Sequence, residues 1–342
     1  MVQQHDGPHV RARCNCHRVI DKSPSNSTEG IPTLRSRVIS FCLFASMTPT
    51  FAGPLLSDPL VGFDSIIFVA TVPPALHMCD QYCANIAGSS DGLYLLSGLK
   101  SGTPKVTNLT ANSVVAKGTL AGQKLAPGGY LSPDLSYDGK TILFAWSPGS
   151  GAKCYHIFKM NIDGSNLVQL TDGVANYDAP LQYSDKSHND FDPCWLPNGR
   201  IVFISERRGG AGRCTSGRPF PTYTLYSLKD DGTDITPISY HETNEWHPSV
   251  NNSGMIVYTR WDYLDRDDCI AHQIWTCYPD GRDPRAPSGN YPNPLQTLAG
   301  AGTDGRYDRP SGEWNIRAIP NSAKYVATAG CLRQVASSRH SA

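Results

Sequence analysis

Three four-residue strings stand out as places where chemistry could be done: Asn189-Asp190-Phe191-Asp192, Asn244-Glu245-Trp246-His247 and Gly312-Glu313-Trp314-Asn315. Each joins an acid, an aromatic ring and a polar group in the same order. If the three strings occupy equivalent places around an axis, Asp190, Glu245 and Glu313 form an arc of carboxylates. Such an arc suits a hard cation, calcium above all, or a cationic ligand, and His247 adds a softer donor beside Asp192 and Asn315. The competing expectation is structural. Each acid would accept backbone N–H groups in the turn that opens its unit, and Phe191, Trp246 and Trp314 would wedge between units.

The strings recur because the chain is built of repeats. "SPDLSYDGKTILFAW", "DPCWLPNGRIVFISE" and "HPSVNNSGMIVYTRW" each put a Pro (Pro133, Pro193, Pro248) five residues ahead of a turn pair (Asp138-Gly139, Asn198-Gly199, Ser253-Gly254), and a mostly apolar run follows. "NIRAIPNSAKYVATA" keeps the register with Ile316 at the Pro position. These starts lie 60, 55 and 68 residues apart. A second hairpin follows in three copies, "YHIFKMNIDG", "YTLYSLKDDG" and "HQIWTCYPDG", aligned on Asp163-Gly164, Asp231-Gly232 and Asp280-Gly281. An earlier, looser copy is "GLYLLSGLKSGTPKVTNLT", preceded by "FDSIIFVA".

A strand with one wet face alternates apolar and polar side chains, yet Ile201-Val202-Phe203-Ile204 does not alternate. Something must cover both faces. Four-stranded meanders stacked radially cover one another, which predicts an all-β fold, a β-propeller of four-stranded antiparallel blades. About four blades and the start of a fifth are visible. The apolar runs are expected nearest the axis. Residues 59–330 carry the propeller, residues 1–58 read as a disordered or targeting segment, and residues 331–342 as a tail that departs from the repeat. An incomplete ring would leave edge strands and blade faces open.

The blade pattern resembles the TolB-type, WD-repeat-like propeller. The longer strings "GYLSPDLSYDGKTILFAW", "NDFDPCWLPNGRIVFISERRGG", "SYHETNEWHPSVNNSGMIVYTRWDYLDRD" and "IWTCYPDGRDPR" resemble the middle domain of the hydrazine synthase alpha subunit family over roughly residues 60 to 330. That resemblance implies a propeller serving as scaffold while c-type haems on other domains carry out redox chemistry. Covalent haem attachment needs Cys-x-x-Cys-His. The sequence has none; in "RCNCH" Cys14 and Cys16 are one residue too close. The reading is therefore a non-catalytic binding or scaffold module that offers its channel mouth to a protein partner or small ligand. The alternative is a subunit or fragment of a multihaem oxidoreductase whose haem-bearing domain or subunit lies elsewhere.

Other constellations point to less. "HETNEWH" spaces His241 and His247 six apart, not the one helical turn a zinc protease requires. His77, Cys79 and Cys83 supply three soft ligands where structural zinc takes four. Glu206, Arg207, Arg208, Arg260, Asp262 and Asp265 form a mixed-charge rim, read either as ion pairs between loops or as a surface for a partner. Asn108 and Asn251 open glycosylation sequons. No Ser-His-Asp elbow or phosphate loop can be placed.

Thirty basic residues balance thirty acidic ones over 342 residues, which argues against nucleic acid as a partner. No segment is apolar for long enough to span a membrane. "RSRVISFCLFASMTPTFAG" has the order of a secretory leader but starts more than thirty residues in, so secretion or a periplasmic location is suspected and the compartment stays open. Eleven cysteines do not define a disulfide framework.

Overall fold

The computed structural model describes residues 17–20 (backbone only), 62–70, 92–125, 128–148, 154–173, 188–208, 222–262, 272–288 and 312–330. Every regular element among them is a strand. In chain order they are β1 (His17–Ile20), β2 (Ser65–Ala70), β3 (Gly92–Ser97), β4 (Lys105–Asn108), β5 (Val115–Lys117), β6 (Gly128–Leu135), β7 (Thr141–Pro148), β8 (His156–Asn161), β9 (Leu167–Gln169), β10 (Asp190–Trp195), β11 (Arg200–Ser205), β12 (Thr224–Lys229), β13 (Thr236–Pro237), β14 (Glu245–Val250), β15 (Ile256–Trp261), β16 (His272–Cys277), β17 (Gly312–Ala318) and β18 (Tyr325–Gly330).

They pair into four mainly antiparallel sheets arranged as the blades of a propeller. Blade I is β2-β3-β4. Blade II is β6-β7-β8-β9, with β5 added parallel to β9. Blade III is β10-β11-β12-β13. Blade IV is β14-β15-β16, joined by one parallel bridge, His272 to Gly312, to the hairpin β17-β18 that begins a further unit. β1 pairs antiparallel with β18. No described helix is long and apolar enough to cross a membrane.

Successive first strands are neighbours in space: β2 by β6, β6 by β10, β10 by β14, β14 by β17. The Pro-bearing strands therefore line the axis. The apolar runs expected there form instead the second strand of each blade. Ile201 to Ile204 in β11 and Ile142 to Ala145 in β7 are fully buried, because a second strand has strands on both sides and blades over both faces. The axial strand borders the channel and can carry polar groups.

The Asp-Gly turns of the second hairpin have a packing duty that turn chemistry alone does not reveal. Gly164, Gly232 and Gly281 all take positive φ. A Cβ on them would stand 2.8 Å from the Leu109 carbonyl oxygen, 2.7 Å from that of Leu170 and 1.8 Å from that of Ile238. Each turn thus presses its backbone onto the preceding blade, an approach only glycine permits.

Candidate functional site: the axial channel and the blade junctions

Every axial strand after blade I is bulged at the same place. The register slips between Leu131 and Asp134, Phe191 and Cys194, Trp246 and Ser249, and Trp314 and Arg317. The residue ahead of the Pro column takes positive φ in all four: Ser132 at 49°, Asp192 at 50°, His247 at 51° and Asn315 at 50°. A residue before proline is normally pushed toward extended backbone, and a non-glycine in the left-handed region carries strain. The bulge re-aims this side chain relative to the ladder.

Three of the re-aimed side chains are linked across blades. The Ser132 hydroxyl donates to Asp192 Oδ1, and the His247 backbone N–H donates to Asp192 Oδ2 at 2.9 Å. His247 Nε2 lies 3.9 Å from the same oxygen. Burial pushes the His247 imidazole below its usual pKa; Asp192 opposes this and Arg317 adds to it, so the ring is neutral near pH 7. One step along the strands, Asp134 accepts the Trp195 N–H at 2.9 Å. Burial raises the Asp134 carboxyl, against the pull of that N–H and of Arg317. Burial, with Asp134 beside it, pushes the Cys194 thiol far up, so it stays protonated. Asn315 and Arg317 on β17 are exposed. Blades II, III and IV and the following hairpin thus contribute polar groups at matching levels of one channel.

The three acids of the sequence strings lie at the start of their axial strands. Asp190 is fully buried at the junction of blades II and III. It accepts Ser205 Oγ at 2.6 Å and takes the Arg207 guanidinium on both oxygens, Nε at 3.2 Å and Nη2 at 2.6 Å. His188 Nε2 and His156 Nδ1 lie 3.5 and 3.8 Å from Oδ2. Burial opposes the Asp190 charge, but Arg207 and the two histidines overcome it and hold the carboxyl well below its ordinary range. Glu245, equally buried, sits at the junction of blades III and IV. Its Oε2 accepts the Leu225 N–H at 3.1 Å and the Ser239 hydroxyl. Burial raises its pKa against those donors and the charges of His241 and Arg260. Glu313 is buried, and its carbonyl accepts Thr259 Oγ1 at 2.6 Å. Among the described residues no group of three or more His, Cys, Asp or Glu side chains comes together to hold a metal ion.

The preceding asparagines repeat one tether. Asn189 Oδ1 accepts the Tyr155 N–H at 2.9 Å and Asn244 Oδ1 accepts the Tyr223 N–H at 3.1 Å, each reaching back to the blade before. The aromatic column fills the gaps. Phe191 meets Tyr223 edge to face, and His272 stacks on Trp246 and Trp261 with Trp314 beside it.

The rim residues are cross-linked. Glu206 accepts both the backbone and the side-chain N–H of Asn189 at 3.0 Å, and burial raises its carboxyl to about 7. Arg208 donates to the His241 carbonyl. Arg260 donates to Asp262 at 2.9 Å and lies 4.0 Å over the Trp275 ring, while Asp262 also meets His241 Nε2 at 2.9 Å. Asp265, the Cys79 group and "RCNC" lie outside the described residues. Both sequon asparagines hold turns: Asn108 Oδ1 accepts the Thr110 and Ala111 N–H groups, and Asn251 Oδ1 those of Ser253 and Met255.

Ser132 occupies the same column as Asp192, His247 and Asn315, so its place before Pro133 was a usable signal. Nothing local announced His156, His188, Asp134 or Arg317; their partners belong to other blades.

The fold defines the class: an all-β propeller, with four blades among the described residues. Parts of the chain are similar to solved structures. The putative TolB from Agrobacterium tumefaciens is 20% identical, with a TM-score of 0.37 over 58% of this chain and 56% of that one. Hydrazine synthase from Kuenenia stuttgartiensis is 18% identical, with a TM-score of 0.49 over 74% of this chain and 34% of that one. TolB from Acinetobacter baumannii is 14% identical, with a TM-score of 0.34 over 57% of this chain and 37% of that one. The chain therefore spans little more than half the length of the first and about a third of the other two. It matches no protein-family model and no curated protein.

Proposed function

We propose that the protein is a non-catalytic binding or scaffold module of the hydrazine synthase alpha middle-domain type, and that its ligand-facing surface is the axial channel. The observation that carries this reading is the repeated left-handed bulge at Ser132, Asp192, His247 and Asn315. Backbone strain kept at one level of four successive strands marks a place where side-chain direction matters more than strand regularity. The commitments of the buried groups support binding over catalysis. Asp190 is neutralised by Arg207, Glu245 is satisfied by Ser239 and Leu225, and the Cys194 thiol is held protonated.

The partner is a protein segment or small ligand that meets Asn315 and Arg317, the exposed members of the channel group. The test is capture from the native extract by the immobilised full chain and by Arg317→Glu, with eluates read by mass spectrometry and by absorbance in the haem Soret region. A partner retained by the parent and lost with Arg317→Glu, at unchanged Tm, supports the channel reading. A Soret band in that fraction makes the partner haem-bearing. Identical profiles for parent and variant would refute the channel as the binding surface.

A further inference from the structure

The junctions between blades differ at one outer position. Between blades II and III, Lys159 of β8 crosses the gap, donating to the Asp230 carbonyl and lying 3.6 Å from the Asp230 carboxylate. Between blades III and IV the Lys159 column holds Ser227, and Pro279 stands where the repeat puts Asp230. Ser227 is too short to cross; its hydroxyl instead accepts Arg200 Nε at 2.8 Å. With no strap, the junction stays open as a cleft of about 450 Å³. That falls within the range of roughly 300–1,000 Å³ typical of small-ligand sites.

The cleft wall carries paired charges of both signs. Arg200 grips Asp234 through Nη1 to Oδ2 at 2.8 Å and Nη2 to the carbonyl at 2.9 Å, and Arg282 Nε holds Asp280 Oδ2 at 2.6 Å. The lining holds two cations and two carboxylates, with Lys229 just beyond it 3.9 Å from Asp234, so every lining charge is already countered and an ionic ligand gains little. Each guanidinium has five N–H groups, so Arg200, using three, and Arg282, whose side chain uses one on Asp280, keep donors to spare beside carboxylate acceptors. Tyr278, 46% exposed, offers a ring next to Pro279. Of the three aligned turns only this one presents an aromatic-proline pair; Asn161-Ile162 and Lys229-Asp230 fill those places in blades II and III.

We propose that this cleft binds a neutral saccharide chain. Donors lying beside acceptors match the adjacent hydroxyls of a sugar ring, and the Tyr278 face packs against its C–H face. The site lies on the outer strands, apart from the axial channel, so either assignment can fail without the other.

The test is calorimetric titration of the full chain with cellotetraose and maltotetraose, and with tetragalacturonate as the charged counterpart. Saturable binding of a neutral probe is expected, weakened at least tenfold by Tyr278→Ala at unchanged Tm. Ser227→Lys, which puts a long side chain into the cleft, should abolish it; if that variant fails to fold, Tyr278→Ala decides alone. Absence of binding by both neutral probes, preference for tetragalacturonate, or undiminished binding by Tyr278→Ala would overturn the proposal.

Discussion

Asp190 and Glu245 stand in the same column of the repeat, at the start of adjacent axial strands, both buried, and they solve the burial of a carboxyl in opposite ways. Asp190 keeps its charge by recruiting Arg207 and two histidines. Glu245 has uncharged donors on its carboxylate, a hydroxyl and a backbone N–H, and its affinity for a proton rises. The repeat fixes where a side chain sits, and the neighbouring blade decides its electrical state. Blade junctions with one geometry can therefore respond differently to mutation and to pH.

The largest effect should come from leaving the Asp190 charge unpaired. Arg207→Ala removes the cation that overcomes the desolvation of a fully buried carboxylate, a loss typically of about 3–5 kcal/mol. Urea unfolding should show the extrapolated free energy falling by that amount through a lower midpoint, with little change in slope. A loss under about 1 kcal/mol would mean that His156 and His188 suffice.

That asymmetry marks the limit of what the sequence discloses. The apolar run Ile201 to Ile204, the Pro-to-turn spacing and the Asp-Gly turns made the blades legible, because they encode strand length, register and coverage within one copy. The channel residues Asp192, His247 and Asn315 were legible as a column, although their left-handed backbone was not, since a following proline argues for extended geometry. The placing of the apolar runs in second strands was also hidden. Coverage on two faces is what a uniform run reports, and both an axial and a second strand could satisfy it. His156 lies 34 residues before Asp190 in the sequence and in another blade, so no local pattern joins them.

Next in size is a pH effect at the same junction. Burial raises Glu206 from 4.5 to about 7, so the folded state favours its protonated form. Its contribution to stability is full below pH 4.5 and is lost as pH rises toward 7, at up to about 1.4 kcal/mol per unit. Asp190, with a lowered pKa, works the other way and loses its contribution as pH falls below the usual carboxylate range. Glu206→Gln should flatten the profile between pH 4.5 and 7 in chemical denaturation. A variant with the parent's slope there would show that another group titrates.

The junctions can also be compared through their glycines. A Cβ at Gly281 meets the Ile238 carbonyl at 1.8 Å, and one at Gly232 meets Leu170 at 2.7 Å, with both residues at positive φ. Left-handed backbone alone costs an alanine about 1–2 kcal/mol. Gly281→Ala should exceed that, and should exceed Gly232→Ala, in paired thermal melts. Equal losses would mean that the blade IV turn backs away without penalty.

The smallest effect, and the sharpest reading of the comparison, is expected at Glu245. Glutamine keeps an oxygen that can accept both the Ser239 hydroxyl and the Leu225 N–H, and it sheds a charge whose burial is only partly offset by His241 and Arg260. Glu245→Gln should therefore cost less than about 1 kcal/mol, within the net value of one ordinary hydrogen bond. Asp190→Asn has no such escape, because Arg207 would face an amide where it now grips two charged oxygens, and bonds to charged groups are worth about 1.5–3 kcal/mol. Because protein donors already fill Glu245 Oε2, millimolar calcium should leave the Tm of parent and Glu245→Gln alike unmoved. A calcium-dependent rise confined to the parent would mean that the carboxylate can leave Ser239 for a cation, and the two acids would then differ in accessibility as well as in charge.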